Sequence, residues 1–160
     1  MTENRIERLI SRLEKGRGKT LEVMNSLRVD QWNLIVYPDP TWTVRHLLAH
    51  FVSAERQLLS LAQSIASGGA GAPPDLDIDR FNAAELQRMD DLSPQTLLTL
   101  LDQARRETVT WVATLDTAEL DAVGRHPVLG EINVETWVEA IYSHQLLHMR
   151  DLMRLLQAVV

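Results

Sequence analysis

Four long segments of this chain place their apolar residues at the period of an α-helix, and no segment sustains the two-residue alternation of a strand. The first runs through Ile6, Leu9, Ile10, Leu13, Leu21, Met24 and Leu27, and Asn4 with Glu7 has the form of a capping box at its start. Gly16 and Gly18 weaken its middle by about 1 kcal/mol each relative to Ala. They lack the strand-to-helix context that a phosphate-binding loop needs. Residues 30–41 read as a connector, because Pro38-Asp39-Pro40 excludes regular helix. Thr43 then caps a second helix over residues 44–66. Residues 67–79, with Gly68-Gly69-Ala70-Gly71-Ala72-Pro73-Pro74, read as a loop.

Asn82-Ala83-Ala84-Glu85 has the form of a capping box for a short helix ending near Asp91. Ser93-Pro94 starts the third long helix, which reaches Leu115. Residues 119–123 read as a helical turn, and residues 125–132, with Pro127 and Gly130, as an extended or hairpin-like loop. Asn133 caps the last long helix. The expected fold is all-α, an antiparallel four-helix bundle with an additional short helix, in a single domain spanning residues 1–160.

Charge and composition narrow the functional classes. A net charge of −6 and no cluster of Lys and Arg lead to the expectation of no nucleic-acid partner. The chain has no cysteine, so any metal is held by His, Asp, Glu or water, and no protein thiol can act as a nucleophile. The charged start, Met1-Thr2-Glu3-Asn4-Arg5, is unlike a signal peptide, and no apolar run is long enough to span a bilayer. A soluble, cytoplasmic protein with no membrane partner is expected. A homodimer formed through helix faces is compatible with the chain, but no residue pattern specifies it.

The histidines carry the chemistry. His144 and His148 lie four apart on the last helix, so both imidazoles lean from one side, the spacing with which a helix offers two nitrogens to one ion. His148 falls within the apolar stripe formed by Val134, Trp137, Val138, Ile141, Leu152, Leu155, Leu156 and Val159, and His144 lies on its border. On the second helix, His50 lies beside the apolar face, whereas His46 turns towards solvent in the first turn. His50 is therefore the better third ligand. Such a pair is also a common hydrogen-bonded core feature, and the spacing alone does not separate the two. Glu55 projects onto the middle of an apolar face, where a carboxylate needs a partner. An ion pair with Arg105 or Arg106 is the favoured reading, and a fourth ligand or general base the other. Asp151, one turn beyond His148, is placed to orient a histidine or cap a polar contact rather than to bind metal, and Arg150 faces solvent. The tryptophans read as core and then as pocket lining. No serine-hydrolase elbow, phosphate loop, dinucleotide fingerprint or His-Glu-x-x-His motif is present.

These residues together resemble the DinB/YfiT-like family of small helical proteins. The resemblance rests on Trp42-Thr43-Val44-Arg45-His46-Leu47-Leu48-Ala49-His50, on Phe81-Asn82, on a turn containing Gly130, and on the pair His144 and His148. It implies a four-helix bundle holding a divalent metal through His50, His144 and His148, with His46 outside the ligand set. It also implies activities that use bacillithiol, mycothiol or glutathione. The expected function is a divalent-metal-dependent enzyme, zinc or nickel being the foremost candidates. It would be a thiol-dependent transferase or isomerase taking its low-molecular-weight thiol as a cofactor, or a hydrolase using metal-bound water. The small-molecule substrate would enter a pocket walled by Trp42, Trp137 or residues 67–79. The alternative is a non-catalytic helical binding or stress-response module with a structural metal or none.

Overall fold

A computed structural model describes residues 2–159. Helix α1 is Thr2–Asn25, and a 3-10 turn, Val29–Asn33, follows it. Strands β1 (Ile35–Pro38) and β2 (Thr41–Thr43) pair as a hairpin that leads into α2 (Val44–Ala66). Next come α3 (Ile78–Arg88), α4 (Pro94–Val112) and the short α5 (Thr117–Asp121). A second hairpin, β3 (Val123–His126) with β4 (Gly130–Asn133), leads into α6 (Val134–Ala158). The all-α bundle is built from α1, α2, α4 and α6, and the two sheets are two-stranded.

Local chemistry sets the helix starts. The Thr43, Ser93 and Asn133 side chains accept from the backbone N–H three residues on, and Pro94 occupies the first helical position. Two expected starts are displaced. Asn4 lies inside α1, and α3 begins four residues before Asn82, capped by Asp77, whose carboxylate accepts from Arg80 N at 3.0 Å. The Asn82-to-Glu85 spacing is thus interior to the helix. The connector at residues 30–41 holds a hairpin whose strands are too short to show alternation. Pro38 ends its strand, where a missing N–H costs little. Gly16 leaves α1 unbroken, and a Cβ there would meet Arg105 Nη1 at 3.6 Å, an ordinary contact.

Side-chain pairing reveals the helix directions. Arg5 binds Glu135 and Arg12 binds Tyr142, so α1 and α6 run the same way. Arg17 binds Asp102 while Arg105 binds the Leu13 carbonyl, so α1 and α4 are antiparallel. His50 meets His144 while Trp137 Nε1 donates to Leu58 O, so α2 and α6 are antiparallel as well. Arg45 binds carbonyls just before α4, and Glu55 meets Arg105 and Thr108 further along, so α2 and α4 run together. Residues 67–93, with α3, return the chain to the end from which α4 starts.

Two apolar clusters fill the bundle. One contains Met24, Leu47, Leu48, Leu97, Leu101 and Leu152, and the other Leu9, Leu13, Ile65, Val112, Trp137 and Ile141. Between them lies a polar layer. Arg105, 1% exposed, donates from Nε and Nη2 to the two Glu55 carboxylate oxygens at 2.7 and 3.0 Å. It also donates to Leu13 O at 2.8 Å and to Gln145 Oε1 at 3.1 Å. The Thr108 hydroxyl donates to Glu55 at 2.9 Å. Glu55 thus takes the ion-pair role with Arg105, while Arg106 pairs with Asp102 on the surface.

Removing one partner of a buried ion pair leaves the other charge uncompensated, so Glu55→Gln is expected to destabilise the fold by about 3–5 kcal/mol in urea unfolding. The double change Glu55→Leu with Arg105→Met should recover most of that loss, because an apolar pair removes both desolvation costs.

Candidate metal centre

The hairpin β1–β2 and helices α2 and α6 bring three imidazoles together. Nε2 of His144 lies 3.1 Å from Nε2 of His50 and 3.2 Å from Nε2 of His148. Two nitrogens bound to one ion at metal–ligand distances of about 2.0–2.1 Å with a tetrahedral angle are separated by about 3.3 Å. The three Nε2 atoms, turned towards one point with only one another as partners, therefore fit a metal's donor set. These three residues form one group of ligand atoms within 4.8 Å of one another.

Each ring is held differently. His50 is buried and packs against Trp42 with centroids 4.7 Å apart and ring planes tilted by 48°. His148 Nδ1 lies 2.7 Å from the Tyr37 hydroxyl, which lies 2.6 Å from Asp151 Oδ2. Tyr37 has one proton, and the carboxylate accepts it. The hydroxyl oxygen then accepts from His148 Nδ1–H, which leaves the Nε2 lone pair facing the other two rings. A hydrogen bond to the outer ring nitrogen orients histidine ligands in metal sites in this way. Asp151 thus acts on the histidine through Tyr37, a residue that sequence reasoning missed. Tyr37 is 111 residues from His148 and no local pattern connects them.

His46 is tied elsewhere. Its Nδ1 accepts from Thr43 N at 3.1 Å, and its backbone N–H donates to the Thr43 hydroxyl, so the ring closes the capping box of α2. Arg150 is exposed, as expected.

The rings are poised neutral. Burial, then the neighbouring His144 and His148, lowers the His50 pKa from 6.5 to about 3. Burial, then His148 and His126, lowers that of His144 from 6.5 to about 4. Burial also lowers His148, against the opposing pull of the Asp151 carboxylate. The Tyr37 hydroxyl is raised by burial and by Asp151, so it stays protonated.

The triad opens on a cavity of about 400 Å³. Trp42 lines it, as expected, and so do Ile78 and Asn82 of α3 and the turn Pro127-Val128-Leu129. Trp137 does not: it is fully buried in the core. Of residues 67–79, Ile78 alone faces the cavity, because Gly71 bridges to Arg125 of β3 and holds the loop at the end of the bundle. Sequence reasoning also missed His126, which lines the cavity from the end of β3.

The model of the DinB superfamily matches residues 12–152, so the chain belongs to that superfamily. Among solved structures, YfiT from Bacillus subtilis, described as a probable metal-dependent hydrolase with an unusual four-helix bundle topology, superposes with a TM-score of 0.80 at 18% identity. The match covers 96% of this chain and 87% of that one. A mycothiol-dependent maleylpyruvate isomerase follows with a TM-score of 0.77 at 13% identity, over 91% of this chain and 60% of the other. The colibactin self-resistance protein ClbS, solved with double-stranded DNA, has a TM-score of 0.70 at 14% identity, over 92% of this chain and 94% of that one. No curated protein matches the chain. These likenesses establish the DinB/YfiT-like four-helix bundle.

They also correct one expectation. A protein of this fold is seen with DNA, so the inference of no nucleic-acid partner does not stand. A net charge of −6 sums over the whole chain and does not exclude a local contact. Among the described residues, no helix is long and apolar enough to cross a membrane.

His50 and His144 are neutral in the folded state and take up protons more readily when unfolded. Their contribution to the stability of the metal-free protein is therefore full above pH 6.5 and is lost as the pH falls from there through about 4 for His144 and about 3 for His50. Thermal unfolding across that range should show the midpoint declining with acid, and His50→Gln should make the decline shallower.

Proposed function

We propose that the protein holds one divalent ion, zinc or nickel, through His50, His144 and His148, and uses it to activate a nucleophile against an electrophilic small molecule. The observation that carries the reading is the convergence of three neutral imidazole nitrogens on the wall of a cavity. A divalent ion bound there supplies Lewis acidity, polarising a carbonyl and lowering the pKa of water or of a thiol.

The chain's own contribution is positional. Burial keeps the His50 and His144 lone pairs free of protons at neutral pH. The Asp151–Tyr37 pair fixes the His148 tautomer. Trp42 and Phe51 flank the His50 and His148 rings and shield them from bulk water. Three protein ligands leave coordination positions open, as a catalytic rather than a structural site requires. The chain has no cysteine, so the nucleophile is water, giving a hydrolase, or an exogenous low-molecular-weight thiol, giving a transferase or isomerase. The likeness to a protein described as a probable metal-dependent hydrolase supports the first, and that to a mycothiol-dependent isomerase supports the second.

Elemental analysis of protein purified without a metal-affinity tag should find one zinc or nickel ion per chain. Each of His50→Ala, His144→Ala and His148→Ala should reduce it to background, and full retention in His50→Ala would falsify the triad. Tyr37→Phe keeps the ring but removes the orienting hydroxyl, so metal affinity should fall about 10–100-fold. Chelation should abolish turnover on a panel of esters and of thiol-plus-electrophile pairs. A large chelator-induced loss of thermal stability, with no turnover before chelation, would instead mark the ion as structural.

A further inference from the structure

Among the described residues, nine large apolar side chains are exposed, and three of them border one opening. Val128 is 74% exposed, Leu129 56% and Leu147 59%. The first two sit in the turn between β3 and β4, and Leu147 sits on α6, yet all three line the cavity that holds the imidazoles. Apolar residues scattered singly on a surface need no explanation, whereas ones gathered from distant elements around a cavity point to a ligand.

Exposure grades along the wall. His50, Ala54 and Leu58 are each 8% exposed or less and form its inner part, and the three exposed residues form its rim. Leu147 stands three residues from His144 on α6, a rise of about 4.5 Å, so the rim begins within one turn of the imidazoles. The turn that carries Val128 and Leu129 is held in place. Both backbone N–H groups donate to Nδ1 of the buried His126, each at 3.1 Å. Gly130 follows at φ +76°, with no other group within 4 Å of where a Cβ would stand. A fixed backbone thus presents these apolar side chains to water.

The rest of the wall says what kind of molecule fits. No Asp, Glu, Lys or Arg lines the cavity among the described residues. Beyond the rings of histidine and Trp42, its polar residues are Gln57, Asn82 and Ser143, all uncharged. A charged ligand would be desolvated there without a counter-charge. An uncharged one can keep its polar group at the imidazoles and lay its apolar part outwards over the rim.

We propose that the substrate is an uncharged molecule with an apolar tail, whose reactive head lies at the imidazoles and whose tail leaves the cavity over Val128, Leu129 and Leu147. These three are specificity-determining residues, because they set how long a tail still gains from binding. The assignment rests on the reading of this cavity as the substrate site beside the metal ligands. It adds the chemical class of the substrate and the surface that selects it.

Linear 1-alkanols from butanol to octanol test it, titrated by NMR at pH 8 into the full chain stripped of metal with a chelator. Each added methylene should tighten binding up to about fourfold, the effect of burying one methylene. In the wild type the rise should continue to 1-octanol, and the ring signals of His144 and His148 should move with every alkanol. In the triple variant Val128→Ser, Leu129→Ser and Leu147→Ser the rise should stop at a shorter chain. There 1-octanol should lose about tenfold in affinity, while 1-butanol binds within about twofold of the wild type. The three side chains are exposed, and the amides that bind His126 belong to the backbone, so the fold is retained. Octanoate, with a charged head, should bind about tenfold more weakly than 1-octanol.

Absence of binding, an affinity that does not rise with length, or a rise to 1-octanol that survives in the triple variant would overturn the assignment. So would octanoate binding as tightly as 1-octanol, or an equal loss of every alkanol in the triple variant. A wild-type dimer that the triple variant dissociates, with no dependence on alkanol length, would assign the rim to a second copy of the chain instead. Zinc content, measured separately, distinguishes the two readings. Length dependence in a protein that binds no zinc defeats the metal proposal alone, and zinc bound by the triad without length dependence defeats the rim proposal alone.

Discussion

The Arg105 guanidinium is the tie on which the bundle depends. It sits on α4, grips the Glu55 carboxylate of α2, and reaches the Leu13 carbonyl of α1 and the Gln145 amide of α6. Apolar clusters above and below this layer pack without direction and would tolerate sliding. A buried charge does not tolerate it, because each guanidinium N–H left without an acceptor is costly in a dry interior. The layer therefore sets the register of the four helices. Gln145 is the immediate neighbour of His144, and Glu55 lies little more than one turn beyond His50. The register that satisfies Arg105 is also the one that brings His50 opposite His144 and His148.

Within that frame the five histidines have become chemically different. His46 is used as a cap, its ring turned back to the backbone of the first turn of α2. His148 is oriented by a tyrosine and a carboxylate, and His126 by two amides of a hairpin turn. His50 and His144 meet each other through their Nε2 atoms, and burial followed by the neighbouring imidazoles keeps them uncharged. Backbone partners determine which nitrogen of a ring is available, and that availability matters more than the mere presence of the imidazole.

Much of this was legible in the chain. The four long helices follow from apolar period, and Thr43, Ser93-Pro94 and Asn133 mark starts that the backbone uses. Helical projection also separated His50 from His46 and picked out Glu55 as a buried carboxylate needing an arginine. What it could not reach was pairing across long separations. Nothing local joins Tyr37 to His148, or the Val128 and Leu129 amides to a tautomer of His126. The start of α3 was misplaced because Asp77 caps without a Glu or Gln at the third helical position to complete a box. Trp137 was a candidate wall residue, but its indole N–H finds the Leu58 carbonyl inside the core. Periodicity identifies a buried face without saying whether that face meets a cavity or another helix.

The parallel course of α2 and α4 has a consequence for how such a protein can change. Two neighbouring helices that run the same way oblige the chain to travel back along the bundle, and residues 67–93 make that journey. The same return segment supplies Ile78 and Asn82 to the outer wall of the cavity, while the three imidazoles stay on α2 and α6. Part of the cavity wall thus lies on a stretch of sequence separate from the imidazoles, while Ala54, Leu58 and Leu147 line it from α2 and α6 themselves. The end of the return segment is fixed to the bundle, because Met89 is in the core and the Met89 and Leu92 carbonyls accept from Arg45, so any variation in length falls to the stretch before it.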